Sequence, residues 1–482
     1  MKNQIIRYFD DNEVVKQILK KENNIGNLYE MEEALVLYNA FTQDHQTRII
    51  VKPNRYQAQQ LYNRLSMLDE NVLLFVVEES IRVQAIASSP EDKNHFIDSL
   101  TQLIVNPQPK LIVCNVAAYV RYLPNPDFYK ENFIKCDIDQ EMDMSTLKEK
   151  LNRMGYTKLN YVDRPCTFAS RGGIVDIFSL EYENPIRIEF FDNEIESIRF
   201  FDENTQRTIQ SIESIVISPA TDILFSDDQI EEIKEKVYKK LETESKKCFD
   251  EEKQLLTDSI EKDMLLLENY SIEPHLYIYY AYTSHFTLND YIENAISILS
   301  PKEEVERNYK KINTENITFI QEMVQDRKYL PEYILFHDLY TMKCMYFHEF
   351  LDFKNPVVSN IYPIEKANSA VEQIVEKIDL EHTYFSLNKE DKDKLIQHFP
   401  DLTFQFIEPV FFEGFQYKDI SVYTQKELFK EYHKKNLYQK TFKEGKILEN
   451  VLELEKMIML FMNNMGLDSI WESLQEIRMV KI

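Results

Sequence analysis

A multidomain α/β fold is predicted for this chain by three observations. Apolar strand-length runs alternate with helical spacing over residues 1–130. A cluster of closely spaced, alternating β segments follows in residues 131–218. A further, shorter α/β pattern occupies residues 346–432. At 482 residues, 44% of them apolar, the chain is long enough for three or four separately cored domains at about 100–200 residues each.

In the first region Arg48–Val51 is a short apolar run, broken by Lys52-Pro53-Asn54, and helical spacing resumes over Gln57–Leu65. Val72–Val77 and Leu111–Cys114 are two more expected buried strands. Strands separated by helices imply a parallel sheet. In the second region a helix over Met144–Met154 is expected to end at Gly155. Strands are expected at Thr167–Ser170, Gly173–Leu180, Ile186–Phe191, Glu194–Phe201 and Ile212–Ser218. Asp192-Asn193 makes a two-residue hairpin turn, because both residues tolerate positive φ. Residues 219–345 open with a charged helical stretch from about 226 to 270 and continue with expected strands at Leu276–Ala281 and Ile334–His337. Residues 346–432 carry expected strands at Tyr384–Ser386 and Ile420–Tyr423. Residues 433–455, rich in lysine and then glutamate, read as a linker, and 456–482 as an atypical tail.

Composition narrows the function. A formal net charge of −26 repels nucleic-acid phosphates and anionic membranes for the chain as a whole. No run is long and apolar enough to span a bilayer, and the charged N-terminus lacks a signal-peptide core. Five scattered cysteines without a Cys-x-x-Cys pair fit a reducing cytoplasm and argue against a structural zinc site. The chain contains seven glycines, and Gly26 is the only one before Gly155. No Gly-x-x-x-x-Gly-Lys-Ser/Thr occurs, so backbone amides have no loop with which to cradle phosphates. Neither a metal-ligand spacing nor a nucleophile motif stands out; acidic pairs such as Glu78-Glu79 read as solvated faces. No cofactor and no catalytic residue are therefore expected.

Two of the seven glycines are adjacent, in Arg171-Gly172-Gly173-Ile174-Val175-Asp176-Ile177-Phe178. They mark a turn whose backbone needs conformations other residues avoid. In Ile186–Phe191 the pleat puts Ile186, Ile188 and Phe190 on a core face and Arg187, Glu189 and Phe191 on the other. An aromatic beside an arginine outside the core is the composition of a binding hot spot. The pattern alone leaves a second reading open, in which Phe191 packs against another domain and Arg187 pairs with Glu189 or Glu196.

The run Arg171–Phe178, then Pro185–Arg199, Phe201-Asp202 and Thr205–Arg207, resembles the domain 2 signature shared by UvrB and the transcription-repair coupling factors. The resemblance implies a UvrA-docking surface in which Arg171, Arg187 and Phe191 contact UvrA, supported by the turn at Gly172 and Gly173. Without a phosphate loop, and without a tyrosine-rich hairpin in residues 77–110, the chain is more similar to the coupling factors, whose N-terminal part is a degenerate UvrB mimic. The implied domains are 1a (1–130), 2 (131–218), 1b (219–345) and 3 (346–432), the last resting on Phe411-Phe412-Glu413-Gly414-Phe415 and Ile420–Leu428. The implied function is a non-catalytic adaptor that recruits UvrA to stalled RNA polymerase for transcription-coupled nucleotide excision repair. ATP, magnesium, RNA polymerase and DNA are then expected only at C-terminal domains that this chain lacks, one of which covers the docking surface in the full-length family. From about residue 456 the resemblance stops. A shifted reading frame through that stretch can encode a run much like the start of the polymerase-binding domain, so a frameshifted tail is expected there, with a native helical tail as the alternative. The rival functions are a UvrB-like ATP-dependent DNA helicase with an unrecognised nucleotide site, and a structural scaffold with no UvrA role.

Overall fold

A computed structural model describes residues 2–23, 25–26, 28–83, 89–331, 333–349, 357–364 and 371–429. The described residues up to Leu428 make one compact unit. The expected linker at 433–455 and the tail at 456–482 lie outside the described residues.

The first sheet has five strands: β1 (Arg48–Lys52), β2 (Leu73–Phe75), β3 (Leu111–Asn115), β12 (Ile296–Leu299) and β13 (Met345–Tyr346). Their spatial order is β13-β12-β1-β3-β2, and every pairing is parallel. β1 and β3 are buried along their whole length, as expected of a parallel sheet covered on both faces. Ile49, Val51, Ile112 and Cys114 enter one core, and Ile50 and Val113 the other. The helices that cover the sheet start where the sequence supplies caps: Asn54 accepts from the Gln57 amide at 2.9 Å, and Ser89 precedes Pro90 at the first helical position.

From Ile134 the chain builds a separate core. β4 (Ile134–Asp137) pairs antiparallel with β11 (Ser214–Ile217), so the segment enters and leaves through adjacent strands. Between them lie the helix Met144–Arg153, followed by Gly155 at φ +84°, and a second sheet. Its strands are β5 (Thr157–Lys158), β6 (Thr167–Arg171), β7 (Ile174–Phe178), β8 (Ile186–Phe191), β9 (Glu194–Phe201) and β10 (Thr208–Ile212), in the order β10-β9-β8-β7-β6-β5. All pairings are antiparallel except β5 with β6. Leu147 and Leu151 of the helix pack on Phe168, Val175, Ile177, Ile186, Ile188 and Ile198 of the sheet. The expected strand at Ile212–Ser218 is in fact the end of β10 and then β11, two strands in different sheets.

The helices Asp227–Ser245 and Asp250–Glu268 lead back towards the first sheet, where β12 pairs beside β1. Two expected strands here are corrected. Leu276–Ala281 lies within a 3-10 helix, Pro274–Tyr282, in which Leu276 through Tyr280 are all buried. Ile334–His337 forms no strand: Phe336 makes a single antiparallel bridge to Arg121. The last sheet holds β14 (Ile361–Pro363), β15 (Thr383–Ser386), β16 (Gln405–Ile407), β17 (Phe415–Tyr417) and β18 (Ile420–Thr424), ordered β14-β17-β18-β15-β16. Phe415, Tyr417, Ile420 and Val422 share a core with the N-terminal helices; the rings of Phe9 and Tyr417 lie 4.8 Å apart. Among the described residues no helix is long and apolar enough to cross a membrane.

Candidate functional site: an arginine and aromatic face on the second sheet

The residues singled out in the sequence meet on one face of the second sheet. β7 lies between β6 and β8, with Asp176 opposite Arg187 and Ile174 opposite Glu189. The β6–β7 turn and the β8–β9 turn therefore lie at the same end of the sheet. Gly172 takes φ +55° with open space around it, while a side chain on Gly173 would begin 2.8 Å from the carbonyl oxygen of Phe190. One glycine serves the turn and the other the close approach of β8, where the Phe190 amide donates to the Gly173 carbonyl at 2.7 Å. At the second turn Asp192 adopts φ +57°. β9 carries a bulge at this end, the register shifting between Glu189 and Phe190, yet Phe190 stays in the core and Phe191 outside it.

Phe191 is 73% exposed, so it does not pack against another domain here. Arg171 is exposed as well, at the end of β6. Arg187 differs from expectation. It lies outside the core of the sheet but is only 7% exposed, and its partner is neither Glu189 nor Glu196. Its Nε and one terminal nitrogen donate to the two carboxylate oxygens of buried Asp176 at 2.6 and 2.8 Å. The same terminal nitrogen donates to Oε1 of Gln206 at 2.8 Å, and the guanidinium lies 4.2 Å from the ring centre of Phe201. The hydrogen bonds to Asp176 push the Arg187 guanidinium above its already high pKa. Arg171 approaches the same carboxylate at 3.6 Å. Glu189 instead accepts from Arg199 at 2.7 Å and from Ser197 at 2.8 Å, and Arg199 holds its carboxyl below the ordinary glutamate range. Asp176 and Gln206 were not singled out in the sequence. Sequence offers no local signal for the pairing: Asp176 comes opposite Arg187 through the β7–β8 register, and residues 179–185 join those strands without a tight turn to set it.

The end of β1, where a phosphate loop would stand, is filled by the chain itself. Lys52 is buried and donates to both carboxylate oxygens of Glu33 at 3.1 and 2.8 Å. The following helix opens with its Gln57 amide on Asn54 and its Arg55 amide on the carboxylate of Glu79 at 3.2 Å. A phosphate at this helix end would meet a carboxylate already in place. Glu79 is thus half-buried and engaged, not a member of a solvated face. A group of three exposed residues, Asp379, Glu381 and His382, has metal-ligand types, but His382 is already bonded to Asp379 at 2.8 Å.

A small antiparallel domain that exposes an aromatic at one sheet end, above a layer of paired arginines, has the make-up of a docking domain. Residues 134–223 match the family described as the UvrB interaction domain. The chain is related to transcription-repair-coupling factors. It is 31% identical to that of Bacillus subtilis (strain 168) over 289 residues, which is 59% of this chain and 24% of the relative. It is 25% identical to that of Staphylococcus epidermidis (strain ATCC 12228) over 342 residues, 67% of this chain and 28% of the relative, and 26% identical to that of Staphylococcus haemolyticus (strain JCSC1435) over 306 residues, 61% of this chain and 25% of the relative. The chain thus spans about a quarter of the length of the curated relatives it matches.

Proposed function

We propose that this chain is a UvrA-recruiting module of a transcription-repair coupling factor, acting in the cytoplasm in transcription-coupled nucleotide excision repair, and that it works by docking and not by catalysis. The observation that carries the reading is Phe191, 73% exposed within the region that matches the UvrB interaction domain and at the same sheet end as the exposed Arg171. A large exposed aromatic next to arginine is the anchor type that protein interfaces use. The non-catalytic part is supported by Lys52, which is taken up by Glu33, and by Asn54 and Glu79, which accept from the amides of the helix end where a nucleotide phosphate would sit. Calorimetric titration of the chain with UvrA tests the proposal. Phe191→Ala is expected to weaken binding by about 1–2 kcal/mol or more. An unchanged affinity overturns the docking surface, and saturable, magnesium-dependent ATP binding overturns the non-catalytic reading.

A further inference from the structure

The face that carries Phe191 is graded along its length. Pleat alternation puts Ala169, Phe178 and Phe201 on the side opposite the core, and Val162 folds over them to close the far end. Next comes an ion-pair layer, and only then the open end with Phe191. Within that layer one carboxylate serves two guanidinium groups. Asp176 is 4% exposed, and Arg187 takes both of its oxygens in a side-on, two-hydrogen-bond arrangement. Arg171 reaches the same carboxylate only at 3.6 Å, beyond hydrogen-bond length, and its side chain is 59% exposed. The three charges sum to one net positive, and that charge is presented by Arg171, since Arg187 is held under Gln206 and against Phe201.

We infer that Asp176 is the positioning residue of this face: it locks Arg187 as a buried strut and leaves Arg171 as the guanidinium that takes a carboxylate from the partner. The inference rests on the UvrA-docking reading and changes what the two arginines do within it. Arg187 sets the level of β8, and with it the position of Phe191, without touching the partner. Arg171 exchanges a long, shared contact with Asp176 for a full pair with an acidic side chain of the partner.

Arginine-selective modification with phenylglyoxal, mapped by mass spectrometry on the chain alone and on its complex with UvrA, tests this directly. Arg171 is expected to react in the free chain and to be shielded by UvrA, while Arg187 stays unreactive in both. In Asp176→Asn, Arg187 is expected to become reactive, and affinity for UvrA to fall about tenfold, the size of a lost charged hydrogen bond. Arg187 reacting in the free wild-type chain and becoming shielded by UvrA overturns the inference, as does unchanged affinity in a folded Asp176→Asn. If Asp176→Asn does not fold, the wild-type modification pattern decides alone. Phe191→Ala separates the two readings. Weakened binding in Phe191→Ala with either overturning result removes only the role of Asp176; unchanged binding in Phe191→Ala removes the docking surface itself.

Discussion

Gly172 and Gly173 are neighbours with different jobs, and substitution separates them. Gly172→Ala places a side chain in the left-handed region with nothing to hit, a cost of about 1–2 kcal/mol, and Gly172→Asn is expected to cost less. Gly173→Ala drives a carbon into the Phe190 carbonyl and is expected to cost more than Gly172→Ala, because β7 and β8 must part to admit it. Urea denaturation of the three variants checks the order. Glu189 gives a pH signature. Its folded pKa is lowered by Arg199, so its contribution to stability is present above the unfolded value, about 4.3, and is lost as the pH falls through the folded value. Glu189→Gln is expected to flatten the acid limb of stability below about pH 4.3, measured by urea unfolding at a series of pH values. The outward position of Phe191 was legible in the sequence because a strand has a period of two. The burial of Arg187 was not, because its partner sits on β7, whose register against β8 is set across the connection 179–185 and not by a tight turn.

At the scale of elements, legibility followed periodicity. β1, β3, β8 and β9 are short apolar or alternating runs bounded by turn residues, and they appear where expected. Within Pro274–Tyr282 the run Leu276–Tyr280 is buried at every position, so it carries neither period; its tyrosines and isoleucine resemble strand residues, and Pro274 at its start is the only helical signal. β12, four buried residues after Asn294 and Ala295, went unread because nothing local shows that its partner is β1, nearly 250 residues away. At the end of β1, the Lys52–Glu33 pair makes its own prediction. Lys52→Met leaves the Glu33 carboxylate buried without its cation and is expected to cost about 3–5 kcal/mol. Adding Glu33→Leu is expected to recover most of that loss, a non-additivity that a double-mutant cycle in denaturant measures.

Across the whole molecule, the second sheet and its helix hold a core distinct from the two that flank the parallel sheet. The chain enters and leaves that core side by side, through β4 and β11, next to the buried ion pair of Arg121 and Asp222 at 2.8 Å. A fragment spanning residues 131–222 is therefore expected to fold cooperatively and to bind UvrA within a few-fold of the full chain. Circular dichroism melting and the same calorimetric titration check both halves; a fragment without a cooperative transition refutes the expectation.

The β4–β11 pair also fixes how this molecule answers a pull. If a partner held at Phe191 is drawn away from the parallel sheet, tension enters the insertion at the two chain ends where Ile134 faces Ile217. Those ends are adjacent and both lead into the same unit, so β4 and β11 share the load as two parallel tethers, and the domain that carries Phe191 is held like a flag on a doubled cord.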